Sequence, residues 1–276
     1  MQHIQHNKVI TDYYPRRIVC LTEETTETLY LLGEQERIVG VSGFTERPPE
    51  ARREKPVIST FINARYQEIV DLNPDLVIGF SDIQADIARK LISKGISVWI
   101  NNHRRVEGIQ KMIMQVGALV GQAEKARKLL EDVNLRINEI QRVTSTWEVK
   151  PKVYFEEWYD PMISGIQWVS ELVEIAGGED IFPENRNQSL ATNRIIEKPE
   201  EIVKRNPDII LASWCGAPYD KNHILKRENF QSITAVQNND IYEIDSSVIL
   251  QPGPAALTDG LNQLFHIFNN WKRKTG

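Results

Sequence analysis

Short apolar runs alternate with amphipathic stretches along this chain. The runs RIVCL, RIVGV, LVIGF and VWI predict strands near 18–21, 38–41, 76–79 and 98–100. Each is too continuously apolar for a half-exposed strand and suits one buried on both faces of a parallel sheet. Between and after them, apolar residues recur at three and four positions, predicting helices near 24–32, 66–72, 83–93 and 106–120. The later part of the chain repeats the alternation, with strands near 153–156, 209–212 and 241–244 and helices near 169–176, 199–205, 224–228 and 255–272. This order predicts two α/β lobes, each a parallel sheet with right-handed crossovers.

The two parts match in detail. EIVDLNPDLVIGF, ending at Phe80, returns as EIVKRNPDIILAS, ending at Ser213. In each copy a short helix is stopped by proline and followed by an apolar strand. RIVCLTEE and KVYFEEW both end in paired glutamates, Glu23-Glu24 and Glu156-Glu157. ETLYLLG and ELVEIAG both read as helices stopped by glycine, Gly33 and Gly177. The second half carries an insertion, YDPMISGIQW, between Tyr159 and Trp168. A loop added at a strand's carboxyl end is a usual place for recognition.

Between the halves, Ala126, Leu129, Leu130, Val133, Ile137, Ile140 and Val143 form one apolar stripe, uninterrupted by glycine or proline until Pro151. A helix of about 22 residues there would span roughly 33 Å and reach from lobe to lobe; an ordinary surface helix is the other reading. The expected organisation is an N-terminal lobe over 1–121, a bridging helix over 122–150 and a C-terminal lobe over 151–276.

Composition narrows the function. The chain has 276 residues, 26% of them charged, and a net charge of −5, which speaks against a general nucleic-acid binder. No run of roughly 18 apolar residues predicts a membrane span. The start, MQHIQHNKVITDYYPRRIVCL, has neither the apolar stretch of a secretory signal nor a lipid-anchor cysteine. As it stands the sequence predicts a cytoplasmic monomer, or a periplasmic or extracellular one whose signal has been removed. His3 and His6 read as a solvated tail, and Cys20 as a small buried hydrophobe. Cys215, in SWCGAP, reads as a loop or core cysteine that could line a site.

Two such lobes predict a ligand cleft beyond the carboxyl ends of their strands. The strand-end loops carry Glu23, Glu24, Phe44, Phe80 and His103 in the first half. They carry Trp158, Tyr159, Met162, Trp168, Trp214, Tyr219 and Gln251 in the second. Flat aromatic rings suit a large ligand, though single rings also serve as local core under a loop. Adjacent glutamates in an extended segment point to opposite faces, so each pair offers at most one carboxylate to the cleft. Arg104 and Arg105 suit ligand phosphate or carboxylate, or a solvated face.

RIVCL…ETLYLLGEQERIVGVSGF, EIVDLNPDLVIG, the long helix and WVSELVEIAGGEDIF…EKPEEIVKRNPDIIL together resemble the substrate-binding proteins of cobalamin, haem and ferric-siderophore ABC importers. The similarity runs from about Pro15 to Trp271, and EEWYDPMISGIQWVSELVEIAGG is similar to the cobalamin-binding branch. The resemblance implies two lobes joined by a single long helix, little hinge motion and a ligand held by aromatic strand-end residues. Phe80 and the segment Trp158 to Met162 match ligand-facing positions of the family; the other candidates rest on strand-end placement. It also implies one permease-docking glutamate per lobe, seven residues before the proline of the repeat. Glu200 occupies that place in the second copy, whereas the first has Gln67 there and Glu68 beside it.

No phosphate-binding glycine loop, G-x-G-x-x-G or G-x-S-x-G is present, and no Cys/His spacing suggests zinc. The expectation is therefore non-catalytic binding of a large metal-bearing cofactor, cobalamin or another corrinoid. Two versions stay open: the receptor of an importer, or a cytoplasmic carrier or sensor. A haem or ferric-siderophore binder and an enzyme acting on a corrinoid or tetrapyrrole are the alternatives. No catalytic cofactor, resident metal, nucleic acid or membrane insertion is expected.

Overall fold

The computed structural model describes residues 13–275; His3 and His6 lie outside them. The chain forms two compact units. The first runs to His103 and resumes over Gly108–Glu131; the second takes Arg104–Glu107 and continues from Asp132.

The first unit follows the predicted alternation: β1 (Ile18–Cys20), α1 (Glu23–Leu31), β2 (Ile38–Ser42), α2 (Ala51–Glu54), β3 (Val57–Ser59), α3 (Tyr66–Asp71), β4 (Leu76–Phe80), α4 (Ala85–Ile92), β5 (Val98–Asn101) and α5 (Val106–Leu119). The sheet order is β3-β2-β1-β4-β5, and every pairing is parallel. Val19, Leu21, Val77, Ile69, Ile87 and Leu91 form its core. The four expected strands are present. The short pieces α2 and β3 were not expected, because three or four residues show no period.

The helix expected over 122–150 is α6 (Ala123–Thr144), 22 residues long. It stops early because Ser145 and Thr146 fold their hydroxyls back, onto Arg142 O at 3.0 Å and Val143 O at 2.7 Å. The boundary between the units falls inside it. Its first part packs in the first unit, where Lys125 Nζ donates to Leu32 O at 2.9 Å. Its later part packs in the second, where Val133, Ile137 and Ile140 are buried and Arg136 Nε donates to Asn262 Oδ1 at 2.7 Å. Val143, counted in the apolar stripe, is 39% exposed one residue before the helix ends.

The second unit contains β6 (Lys152–Tyr159), β7 (Met162–Ser164), α7 (Gln167–Ile175), β8 (Glu179–Asp180), α8 (Pro199–Arg205), β9 (Ile209–Ala212), α9 (Asn222–Leu225), α10 (Thr234–Gln237), β10 (Ile241–Glu243), α11 (Ser246–Ile249) and α12 (Leu261–Thr275). The order is β10-β9-β6-β7, with β8 also on β6. β9 and β8 run parallel to β6, but β7 is antiparallel to it. The insertion read as a loop therefore contains a short hairpin strand: Tyr159 opposes Met162 and Glu156 opposes Ser164.

The repeated Asn-Pro-Asp has one job in both units. Asn73 and Asn206 both take φ 46, a left-handed conformation that asparagine tolerates and that ends the helix. The aspartates then tie down the start of the neighbouring strand. Asp75 accepts from the N–H groups of Arg16 and Arg17 at 2.7 and 3.0 Å, and Asp208 from that of Lys152 at 2.8 Å. The glycine stops match as well. Gly33 and Gly177 have φ 75 and 94, and the next N–H reaches back to Leu29 O and Val173 O respectively.

Candidate functional site

In the first unit, the carboxyl ends of the strands gather polar and aromatic side chains. Glu23 and Glu24 open α1 directly after β1 and are 4% and 1% exposed. Thr22 Oγ1 donates to Glu24 Oε1 at 2.6 Å, and one oxygen of each carboxyl group, Oε2, has no hydrogen-bond partner among the described residues. Burial, followed by the charges of Glu24, Glu46 and Glu27, pushes Glu23 up to about 9. Burial pushes Glu24 up to about 7 against the Thr22 hydrogen bond. Both glutamates are thus buried, and they lie on the first turn of a helix, not in the extended segment that the alternation argument assumes.

Phe44, after β2, stacks on Phe61 with centroids 4.9 Å apart. Phe80, the last residue of β4, meets His103 edge-on at 5.2 Å. His103 is half-buried, against Gly108 of α5. Gln84, absent from the candidate set, ties these loops together. Its Oε1 accepts from Phe80 N–H at 2.9 Å, and its Nε2 donates to Leu21 O and Phe61 O at 3.3 and 3.2 Å.

In the second unit, five rings form one contiguous group. Trp158 lies 5.0 Å from Tyr159, Tyr159 4.7 Å from Trp214 and 4.6 Å from His223, and Trp214 5.3 Å from Tyr219. His223, absent from the candidate set, is thus part of the aromatic group. Trp158 and Tyr159 are half-buried and Trp214 is buried. Burial pushes the Tyr219 hydroxyl up to about 12.

Beneath the rings sits a charged frame. Glu156, fully buried, takes a two-pronged contact from Arg227 and accepts from Tyr154 Oη at 2.9 Å and Trp214 Nε1 at 3.2 Å. Glu157 takes the matching contact from Arg194, with Nη2 to Oε1 at 2.9 Å. Neighbouring glutamates on one strand thus serve two separate arginines, and both are structural. A cavity of about 480 Å³ lies beside the hairpin, lined by Tyr159, Met162, Ile196, Glu197, His223 and Arg227 among others.

Two candidates sit differently from expectation. Trp168 is a core residue of α7, 3% exposed, and its Nε1 donates to Ile249 O at 2.9 Å. It belongs to a helix rather than to the recognition loop, and its only donor is used internally. Gln251 is also buried, at 6% exposure. Arg105 Nε donates to Glu171 Oε1 at 2.9 Å and Val106 N–H to Glu171 Oε2 at 2.8 Å, so Glu171 caps the start of α5. Cys20 is buried, as read, and burial pushes its thiol up to about 12.

Residues 18–248 match the model of the periplasmic binding proteins. The chain belongs to that family. This periplasmic binding protein is 25% identical over 259 residues to an uncharacterized ABC transporter substrate-binding lipoprotein, YvrC, of Bacillus subtilis, covering 91% of this chain and 79% of that one. It is 25% identical over 261 residues to the Vitamin B12-binding protein of Vibrio parahaemolyticus, covering 94% and 91%. Among solved structures it resembles Staphylococcus aureus IsdE complexed with heme, with TM-score 0.76, 22% identity and coverage of 91% and 98%. The fold is therefore the two-lobed one of these proteins. Family members are substrate-binding proteins of ABC importers, which bind a small molecule and deliver it to a permease without acting as enzymes.

For this binding protein the surfaces expected to dock a permease are open. Gln67 and Glu68 are exposed on α3, where Gln67 Nε2 donates to Asp71 Oδ1 at 2.8 Å and Glu68 pairs with Arg65 at 3.3 Å. Glu200 is exposed in the first turn of α8. Among the described residues no helix is long and apolar enough to cross a membrane, and no group of three or more His, Cys, Asp or Glu could hold a metal ion.

Proposed function

We propose that this periplasmic binding protein captures a corrinoid, cobalamin or a near relative, and hands it on unchanged to the permease of an ABC importer. The observation that carries the reading is the ring group Trp158, Tyr159, Trp214, Tyr219 and His223 at the carboxyl ends of β6 and β9. The half-buried rings of Trp158, Tyr159 and Tyr219, packed on buried Trp214, offer apolar area to a large macrocycle and cost little side-chain entropy on binding. The similarity to a Vitamin B12-binding protein over nearly the whole chain supports the same ligand class. Glu23, Glu24, Phe44, Phe80, His103 and Met162 are the further proposed contacts. Docking falls to Glu200 and to Gln67 with Glu68, and the protein works on the outer side of the cytoplasmic membrane.

A haem reading has its own support: the imidazole of His103, held edge-on against Phe80 at a strand end, and the likeness to a haem-complexed structure. Calorimetric titration with cobalamin, haem and a ferric siderophore separates the readings. Cobalamin should bind more tightly than roughly 10 μM, about −7 kcal/mol. Haem binding without cobalamin binding moves the assignment to haem, and no binding of any of the three removes the metal-chelate reading altogether.

A further inference from the structure

Glu23 and Glu24 open α1 directly after the carboxyl end of β1. Two adjacent carboxyl groups are almost completely withdrawn from solvent, and each keeps one oxygen, Oε2, without a partner among the described residues. A third orphan stands in the same row of strand ends. Thr45, in the segment after β2, the neighbour of β1, is fully buried and its Oγ1 is also unpartnered. Buried polar atoms are rarely left unmet, so three of them on residues that follow the carboxyl ends of the paired strands β1 and β2 point to bonds that another molecule supplies.

We propose that Glu23 and Glu24 select a macrocycle whose rim carries amides and reject one whose rim carries carboxylates at that edge. This rests on the corrinoid reading and narrows it to a corrinoid with intact side-chain amides. An amide N–H meets an orphaned carboxyl oxygen directly, and the amide carbonyl accepts from a protonated carboxyl or from the Thr45 hydroxyl. A ligand carboxylate would add negative charge to a dry acidic group. The groups acting on Glu23 are Glu24 and Glu27 of α1, Glu46 after β2, and Arg52 of α2. Arg52 Nη1 donates to Gly43 O at 2.7 Å, and Arg47 is bonded to Glu27. On the other side, Thr22 and Glu27 act on Glu24, and Glu24 acts on Cys20. Carboxyl groups outnumber the guanidinium groups in this set, so a further anion is poorly compensated. Burial first, and then these neighbouring carboxyl groups, hold Glu23 and Glu24 towards their protonated forms.

The test compares cyanocobalamin with the monocarboxylates made by hydrolysing its single side-chain amides, titrated into the intact protein. The wild type should bind at least one monocarboxylate about tenfold or more weakly than cyanocobalamin at about pH 8.5, and the gap should narrow towards about pH 6 as the glutamates take protons. In Glu23→Gln or Glu24→Gln, cyanocobalamin binding should persist, because glutamine still accepts from an amide. The penalty on that monocarboxylate should shrink, because glutamine also donates to a carboxylate. Equal binding of all monocarboxylates by the wild type overturns the proposal, and so does a penalty unchanged by pH. A wild type that ignores cobalamin altogether overturns the corrinoid reading and this proposal with it. The wild-type pH series gives the answer even if a substituted chain does not fold.

Discussion

Arg227 reaches across 71 residues of sequence to grip Glu156, with Nη2 3.1 Å from Oε1, and Glu156 is completely buried. The same guanidinium donates to Tyr159 O at 3.0 Å, so the pair fixes the end of β6 on which the aromatic group is mounted. A buried pair adds little over an apolar replacement, but breaking it leaves an uncompensated charge. Arg227→Ala should therefore cost about 3–5 kcal/mol. Urea denaturation measures this, and an unchanged midpoint with the same slope contradicts it.

The two tryptophans that flank the hairpin should part company on substitution. Trp168 fills the core of the second unit, and Trp168→Ala should lower stability by about 3–5 kcal/mol through the cavity it leaves. Trp158 is half-buried, with Nε1 donating to Asp160 O at 2.9 Å. Trp158→Ala should change stability by less than about 1.5 kcal/mol and weaken ligand binding about tenfold. Thermal melts together with titration distinguish the two patterns; similar behaviour of the two variants would contradict it.

Stability should fall as pH rises through the neutral range. Burial disfavours the charge and pushes Glu23 up to about 9 and Glu24 up to about 7 in the folded chain, against 4.5 for a solvated glutamate. Over that window the folded state holds more protons than the unfolded state, so added base favours unfolding. The loss should be on the order of several kcal/mol between about pH 5 and about pH 9. Glu23→Gln should flatten the upper part of the profile; denaturation at a series of pH values reads it, and a wild-type curve that rises over the window would refute the assignment.

The glycine stops should differ in tolerance. A Cβ at Gly177 would lie 2.7 Å from Thr144 Cγ2 and from the Trp147 ring, on top of a φ of 94. One at Gly33 would meet only Lys125 Nζ, at 3.5 Å. Gly33→Ala should cost about 1 kcal/mol, the left-handed strain alone, and Gly177→Ala about 2–4 kcal/mol. Equal costs in chemical denaturation would mean that packing around Gly177 yields freely.

Local pattern carried much of the architecture. The apolar runs became β1, β2, β4, β5, β6, β9 and β10, and the repeated Asn-Pro-Asp marked the ends of α3 and α8 in both units. These features lie within a few residues of one another, so helix period, strand propensity and turn chemistry expose them directly. The site was less legible. Trp158 and Trp168 look alike in sequence, yet one borders the surface and the other is core. Nothing near Glu156 or Glu157 announces Arg227 or Arg194, which come from 71 and 37 residues away.

The sequence by itself determined seven of the strands, the helix stops at Gly33, Asn73, Gly177 and Asn206, and that the chain says the same thing twice, because those properties arise from contacts between near neighbours. Only the tertiary structure decided that the insertion pairs as β7, that Glu156 and Glu157 are held by arginines, and that Glu23 and Glu24 lose their water. Burial and ion pairing depend on which distant segments meet, and that is a property of the packed chain rather than of any one stretch of it.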